Sequence, residues 1–177
     1  MKRVGLAAGV LAGVGTVGWL VAGHTAPPID PVLAAAVLPL IDEELERGPW
    51  PGMLSSTGAE ARWFCVARVI EIRSTGDELA VGIEDLCEEF ARDGDALVAG
   101  SAERGPKVVV LTAAPDGRRV TRVESPPDGD AHVQWVRRNF TTGGAAEAEH
   151  LGLPGDAPAA QAREAFGLPP SAPVRRS

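Results

Sequence analysis

Cys65 and Cys87 are the only thiols in this chain of 177 residues. Two cysteines are too few for a zinc site built on sulfur, and three scattered histidines do not complete one. The remaining chemistry is oxidation. A redox-active pair of the thioredoxin type has two residues between its cysteines, a spacing absent here. Outside the cytoplasm, where thiols are oxidised, a structural disulfide is the better reading. Residues 62–73 are rich in β-formers, residues 78–91 open with alternating Leu79, Val81 and Ile83, and Ser74-Thr75-Gly76-Asp77 between them is turn chemistry. A hairpin with a three-residue loop of Thr75, Gly76 and Asp77 puts Cys65 directly opposite Cys87. Opposed Cα atoms lie roughly 4.5–5.5 Å apart, which suits a disulfide.

Other reactive residue types occur without the patterns that make a site. There is no nucleophile elbow, phosphate-binding glycine loop, paired-histidine metal motif or dinucleotide fingerprint. His132 and His150 have no Ser or Cys companion positioned by sequence. No catalytic residue, metal or cofactor is therefore expected. Seven acidic residues, Glu78, Glu84, Asp85, Glu88, Glu89, Asp93 and Asp95, crowd one stretch. A calcium loop needs oxygen ligands at alternating positions, and Leu86, Cys87, Phe90 and Ala91 interrupt this run, so it reads as a solvated strand face. Arg118, Arg119 and Arg122 give a later strand a basic outer face, either simply solvated or an anionic-ligand site. Trp50, between Pro49 and Pro51, reads as a lid over the core or a recognition element. Trp135 packs its ring on the sheet with the indole nitrogen near solvent. These five residues are the candidate interaction set.

The elements that must position them follow from periodicity. Residues 4–23 carry no charge, follow Lys2 and Arg3, and at helical rise reach about 30 Å, the thickness of a bilayer's hydrocarbon core. Residues 1–23 are thus expected to be a signal peptide or an N-terminal membrane anchor, with everything after them exported. Gly5, Gly9 and Gly13 on one helical face suit close approach of two membrane helices if the segment is kept. After a linker at residues 24–29, Asp30-Pro31 opens a helix over residues 32–46, with Leu33, Val37, Leu40, Ile41 and Leu45 at helical spacing. Pro39 predicts a kink or a short helix ending at Gly48. Asp42, Glu43, Glu44 and Glu46 sit where the helix dipole disfavours them.

A second hairpin is predicted from the β-branched run at residues 107–113, the turn Ala114-Pro115-Asp116-Gly117 and a returning strand at residues 118–124. Residues 96–99 form a separate short apolar piece. A last short helix spans residues 130–140, with Val133, Val136 and Phe140 on one face. The folded domain is placed at residues 30–140. Residues 141–177 are rich in Ala, Gly and Pro and are expected to be mostly disordered, although two units ending in Gly-Leu-Pro, fifteen residues apart, read as short marginal helices.

Gly100-Ser101, Gly105-Pro106, the run at residues 108–111, Gly117, Glu124-Ser125-Pro126-Pro127-Asp128-Gly129 and a helix closing at Phe140 resemble a small extracytoplasmic α+β domain. That domain occurs in secreted proteins and on antibiotic-sensing membrane metallopeptidase regulators. Ala131 and His132 replace the aromatics found there after the Asp-Gly step, and this chain has no metallopeptidase part. The resemblance implies a cystatin-like module, an N-terminal helix packed on a four-stranded antiparallel sheet, with no established catalytic residues. A net charge of −7 argues against nucleic acid as a partner. The expected function is an exported or membrane-tethered, non-enzymatic binding module for an unknown protein or cell-envelope ligand. It would reach the membrane through residues 4–23 if they are not cleaved. The alternatives are an inhibitor of an extracellular enzyme, or a small enzyme with a carboxylate in a sheet-enclosed pocket.

Overall fold

The computed structural model describes residues 28–48, 51–58, 60–150 and 152–176. The leader at residues 1–23, most of the linker and Trp50 lie outside them. Among the described residues no helix is long and apolar enough to cross a membrane. The fold is α+β, with an N-terminal helix, a mixed sheet of five strands and several short helices.

Helix α1, Pro31–Arg47, starts as expected: the Asp30 carboxylate accepts the N–H groups of Val32 at 2.9 Å and Leu33 at 3.2 Å, and proline occupies the first turn. It runs unbroken through Pro39 to a cap at Gly48 and buries Val37, Ile41 and Leu45. A one-turn helix α2, Met53–Ser56, follows. Strands β1, Arg62–Thr75, and β2, Glu78–Asp93, form the first hairpin, and Cys65 pairs with Cys87. The route to that pairing differs from the expected one. The turn holds only Gly76 and Asp77, with Gly76 left-handed at φ 61°, and a bulge between Val69 and Glu71 supplies the extra residue that restores the register.

Strand β3, Ala96–Ala114, is continuous where two pieces were expected. Pro106 stands where β3 has a strand partner on one side only, so its missing N–H breaks no second ladder. Strand β4, Gly117–Glu124, completes the second hairpin. The sheet order is β1-β2-β3-β4, all antiparallel. A fifth strand, β5, Val174–Arg176, runs parallel to β3 at Leu97, Val98 and Ala99, which makes the sheet mixed rather than four-stranded and antiparallel.

The two faces of the sheet are both covered. Helix α1 lies on the first, packing Val37, Ile41 and Leu45 against Cys65, Val69, Leu79, Val81, Ile83, Val109 and Leu111. Alternation sends Phe64, Ile70, Phe90, Leu97 and Val108 to the second face. Three further helices cover it: α3, Ala131–Asn139, α4, Thr142–Ala148, and α5, Ala157–Ala165. In α3, Val136 is buried with Phe140, Ile70 and Val108, while Val133 is exposed. In the last part of the chain, Ala159, Ala162, Leu168 and Ala172 pack on Phe64, Phe90 and Leu97. The segment expected to be mostly disordered thus holds α4, α5 and β5, because its small side chains let backbone approach the aromatic face closely.

Candidate functional site

The acidic stretch is the feature the sequence reading placed wrongly. Glu84, Asp85, Glu88 and Glu89 are buried, as is Glu71 on β1, whereas Asp93 and Asp95 are exposed. Burying a carboxylate is tolerable only where hydrogen bonds or cations replace its water. Those partners come from distant parts of the chain.

Glu84 receives Arg68 Nε at 3.0 Å, Arg104 Nη2 at 2.7 Å, and the backbone N–H groups of Gly152 at 2.9 Å and Leu153 at 3.3 Å. The two arginines reach further, Arg68 to Glu147 and the His150 carbonyl, Arg104 to the Leu153 carbonyl. Burial pulls the Glu84 pKa upward, but the bonds from Arg104, Gly152, Arg68 and Leu153 outweigh it and hold the carboxyl below its ordinary range. Glu89 does the same for α2, accepting from Leu54 N at 2.9 Å, Ser55 N at 2.8 Å, Ser55 Oγ, and Ser101 N at 3.3 Å. Glu71 accepts the Thr141 N–H at 3.1 Å and its hydroxyl, at the start of α4. A Cβ added at Gly52 or Gly100 would overlap the Glu89 carboxylate, and one at Gly144 would overlap that of Glu71. Glycine at these positions lets backbone reach the acids. The three glutamates are clasps.

The acids of α1 also have a use. Strand β1 is a sheet edge, and Glu46 accepts its Cys65 N–H at 3.3 Å. Asp42 stands beside it, its pKa pushed up to about 6 by burial and by the Glu46 charge, against a bond from the Ala67 N–H. Glu43 and Glu44 pair with Arg47.

A second cluster lies on the α1 face of β2 and β3. Lys107 Nζ sits 3.4 Å from Asp85 Oδ2 and 3.2 Å from Ser125 Oγ, and donates a short hydrogen bond to Glu103. Burial raises the Asp85 pKa to about 6, the Lys107 charge opposes this, and Glu103 adds to it. The disulfide joins Cys65 and Cys87 with Cα atoms 4.1 Å apart, both fully buried, and Cys87 Sγ lies 3.6 Å from Asp85 Oδ2. Asp85 and Lys107 were not singled out from sequence. The readable signal was Lys107, one of two lysines in the chain, opening an apolar strand four residues after Glu103.

The candidate interaction residues are not brought together. Arg118 pairs with Ala113 and points to the α1 face, whereas Arg119 and Arg122 pair with Thr112 and Val110, on the other; a bulge at Thr121 shifts the alternation. Arg122 pairs with Glu124. Trp135 is half-buried, edge-on to Phe140 with ring centres 6.3 Å apart. Between the end of α1 and β4 runs an open cleft of ≈ 510 Å³, floored by Leu45, Val120 and Val123 and rimmed by Glu44, Arg122 and Ser125. A neighbouring hollow of ≈ 460 Å³ continues along the seam at Leu33, Val37, Leu40 and Arg118. Neither is lined by Asp85 or Lys107.

No protein-family model, curated protein or solved structure matches the chain.

Proposed function

We propose that the protein is an exported, non-enzymatic binding module of cystatin-like build, which takes a protein or envelope ligand along the seam between α1 and β4. The observation that carries this reading is the seam itself: an apolar floor with charged rims of both signs, at the sheet edge, open to solvent. The buried disulfide supports the location, since such bonds persist in oxidising compartments. Binding is favoured over catalysis because the clasp carboxylates Glu71, Glu84 and Glu89 are occupied by the chain's own N–H groups and cations. The three acids with raised pKa among the described residues, Asp42, Asp85 and Glu88, do not line the cleft, so a substrate there would meet no poised base.

The test is a photo-reactive residue placed in the producing cell at Arg118, which points to the α1 face and lines the seam, with a second at exposed Arg137 on α3 as control. A defined adduct from position 118 and none from position 137 is expected. Equal labelling, or none, overturns the seam as a binding surface. Alkylation of the protein unfolded in denaturant, without and with reductant, checks the location: Cys65 and Cys87 are expected to react only after reduction.

A further inference from the structure

Asp85, Lys107 and Glu103 are used neither by the clasps nor by the cleft. Asp85 is 0% exposed and Lys107 1%, on adjacent strands of the central hairpin. The lysine is opposed by Ile83 and followed on its own face by Val109. The disulfide sulfur of Cys87 closes the acid's other side at 3.6 Å, with no hydrogen to donate. The Asp85 carboxylate is also met by the Gly105 N–H, with no side-chain donor at Oδ1. An ammonium and a carboxylate held in so dry a place lose most of the solvation that makes ions preferable to neutral groups in water. Glu103 touches the lysine nitrogen and is 33% exposed on its side chain, so one end of the cluster can exchange protons with solvent.

We propose that Lys107 Nζ and Asp85 Cγ condense to an intramolecular isopeptide bond, with Glu103 as the proton carrier. The balance needs no other reactant. Glu103 moves one proton from the ammonium to the aspartate, leaving a neutral amine and a neutral acid. The nitrogen lone pair attacks Cγ and the C–N bond forms. Glu103 then carries a second proton from nitrogen to the departing hydroxyl, the C–O bond breaks, and one water leaves. The product is a neutral secondary amide. Ser125 Oγ, accepting from Nζ, holds the amine in line before reaction. Asp85 rather than Glu103 is the acyl partner because it is the fully buried acid, whose raised pKa keeps a share of it in the reactive neutral form. The bond would tie β2 to β3 beside the disulfide that ties β1 to β2, so that three neighbouring strands are covalently joined.

The test is mass spectrometry of the full protein after reduction, alkylation and trypsin. The expected result is the peptide of residues 74–92 joined to that of residues 105–118, uncut at Lys107, at their summed mass less one water. Lys107→Arg is expected to give the peptide of residues 74–92 unlinked, with the chain cut after position 107, and Glu103→Gln to lose the joined product while keeping a cooperative melt. Separate peptides from folded, disulfide-bonded wild-type protein overturn the proposal and leave a buried ion pair. A joined product in full yield from Glu103→Gln overturns the role given to that residue. Neither result depends on what binds the seam.

Discussion

Two carboxyl groups with opposite shifts give the protein an unusual pH response. Asp42 titrates near 6 when folded against 3.8 when free, so its contribution to stability is present below 3.8 and lost as pH rises through about 6. Asp42→Asn removes that loss and can still accept from the Ala67 N–H. Because Asp42 is only part-buried, the full shift overstates the effect, and a gain of about 1 kcal/mol at pH 7.5 is expected, vanishing near pH 4. Urea unfolding at the two pH values measures it. Glu84 behaves in the opposite sense: its stabilisation is present above its ordinary 4.5 and lost as pH falls through the lower folded value. Glu84→Gln leaves Arg68 and Arg104 facing a neutral group and is expected to cost about 3 kcal/mol at pH 7. Its unfolding curve should approach that of the wild type in acid. Neither role was legible in the sequence. An acidic run with few nearby cations reads as solvated, and the groups that make Glu84 bearable, Arg104 and the Gly152 and Leu153 N–H groups, lie 20, 68 and 69 residues away.

At the scale of elements, local pattern served well where partners are close in the chain. The Asp30 cap, the α1 stripe and both hairpins could be read because a turn, an alternation or a 3.6 period lies within one window of sequence. The cysteine register came out correctly through two compensating departures, a turn one residue shorter than assumed and a bulge that no residue type near Ile70 announces. The bond closes a separation of 22 residues, and Cys65→Ala with Cys87→Ala is expected to cost about 3 kcal/mol in urea unfolding. Helix α4 offers a sharper check on the clasps. Gly144 donates its N–H to Thr141 Oγ1 at 3.0 Å, and any Cβ there meets the Glu71 carboxylate. Gly144→Ala, which would strengthen an isolated helix, is instead expected to destabilise the protein by about 2 kcal/mol. Amide exchange at Thr141 should quicken, because its N–H bonds that same carboxylate.

For the molecule as a whole, the question is which part of the chain makes the second side of the sheet. A helix on one face of a twisted sheet leaves the other face to water, and that face here carries Phe64, Ile70, Phe90, Leu97 and Val108. The last part of the sequence looked too poor in large apolar residues to fold. What it supplies instead is thin cover. Ala159, Ala162 and Ala172 are buried in one cluster with Phe64 and Phe90, Phe166 meets Phe64 edge-on with ring centres 5.7 Å apart, and β5 hydrogen-bonds to β3. Composition counts side-chain volume and misses this, since the burial comes from the strand side chains underneath. A chain ending at Phe140 keeps α1, α3 and the four antiparallel strands but uncovers Phe64, Phe90 and Leu97, and strips Glu84 of two backbone donors. Large aromatics uncovered in this way promote association. The truncated protein is expected to bind a hydrophobic dye such as ANS and to lose a sharp unfolding transition while keeping strand signal in far-UV circular dichroism. A monomeric, cooperatively melting fragment with no dye binding would show that the tail is an ornament on a complete domain rather than its third layer.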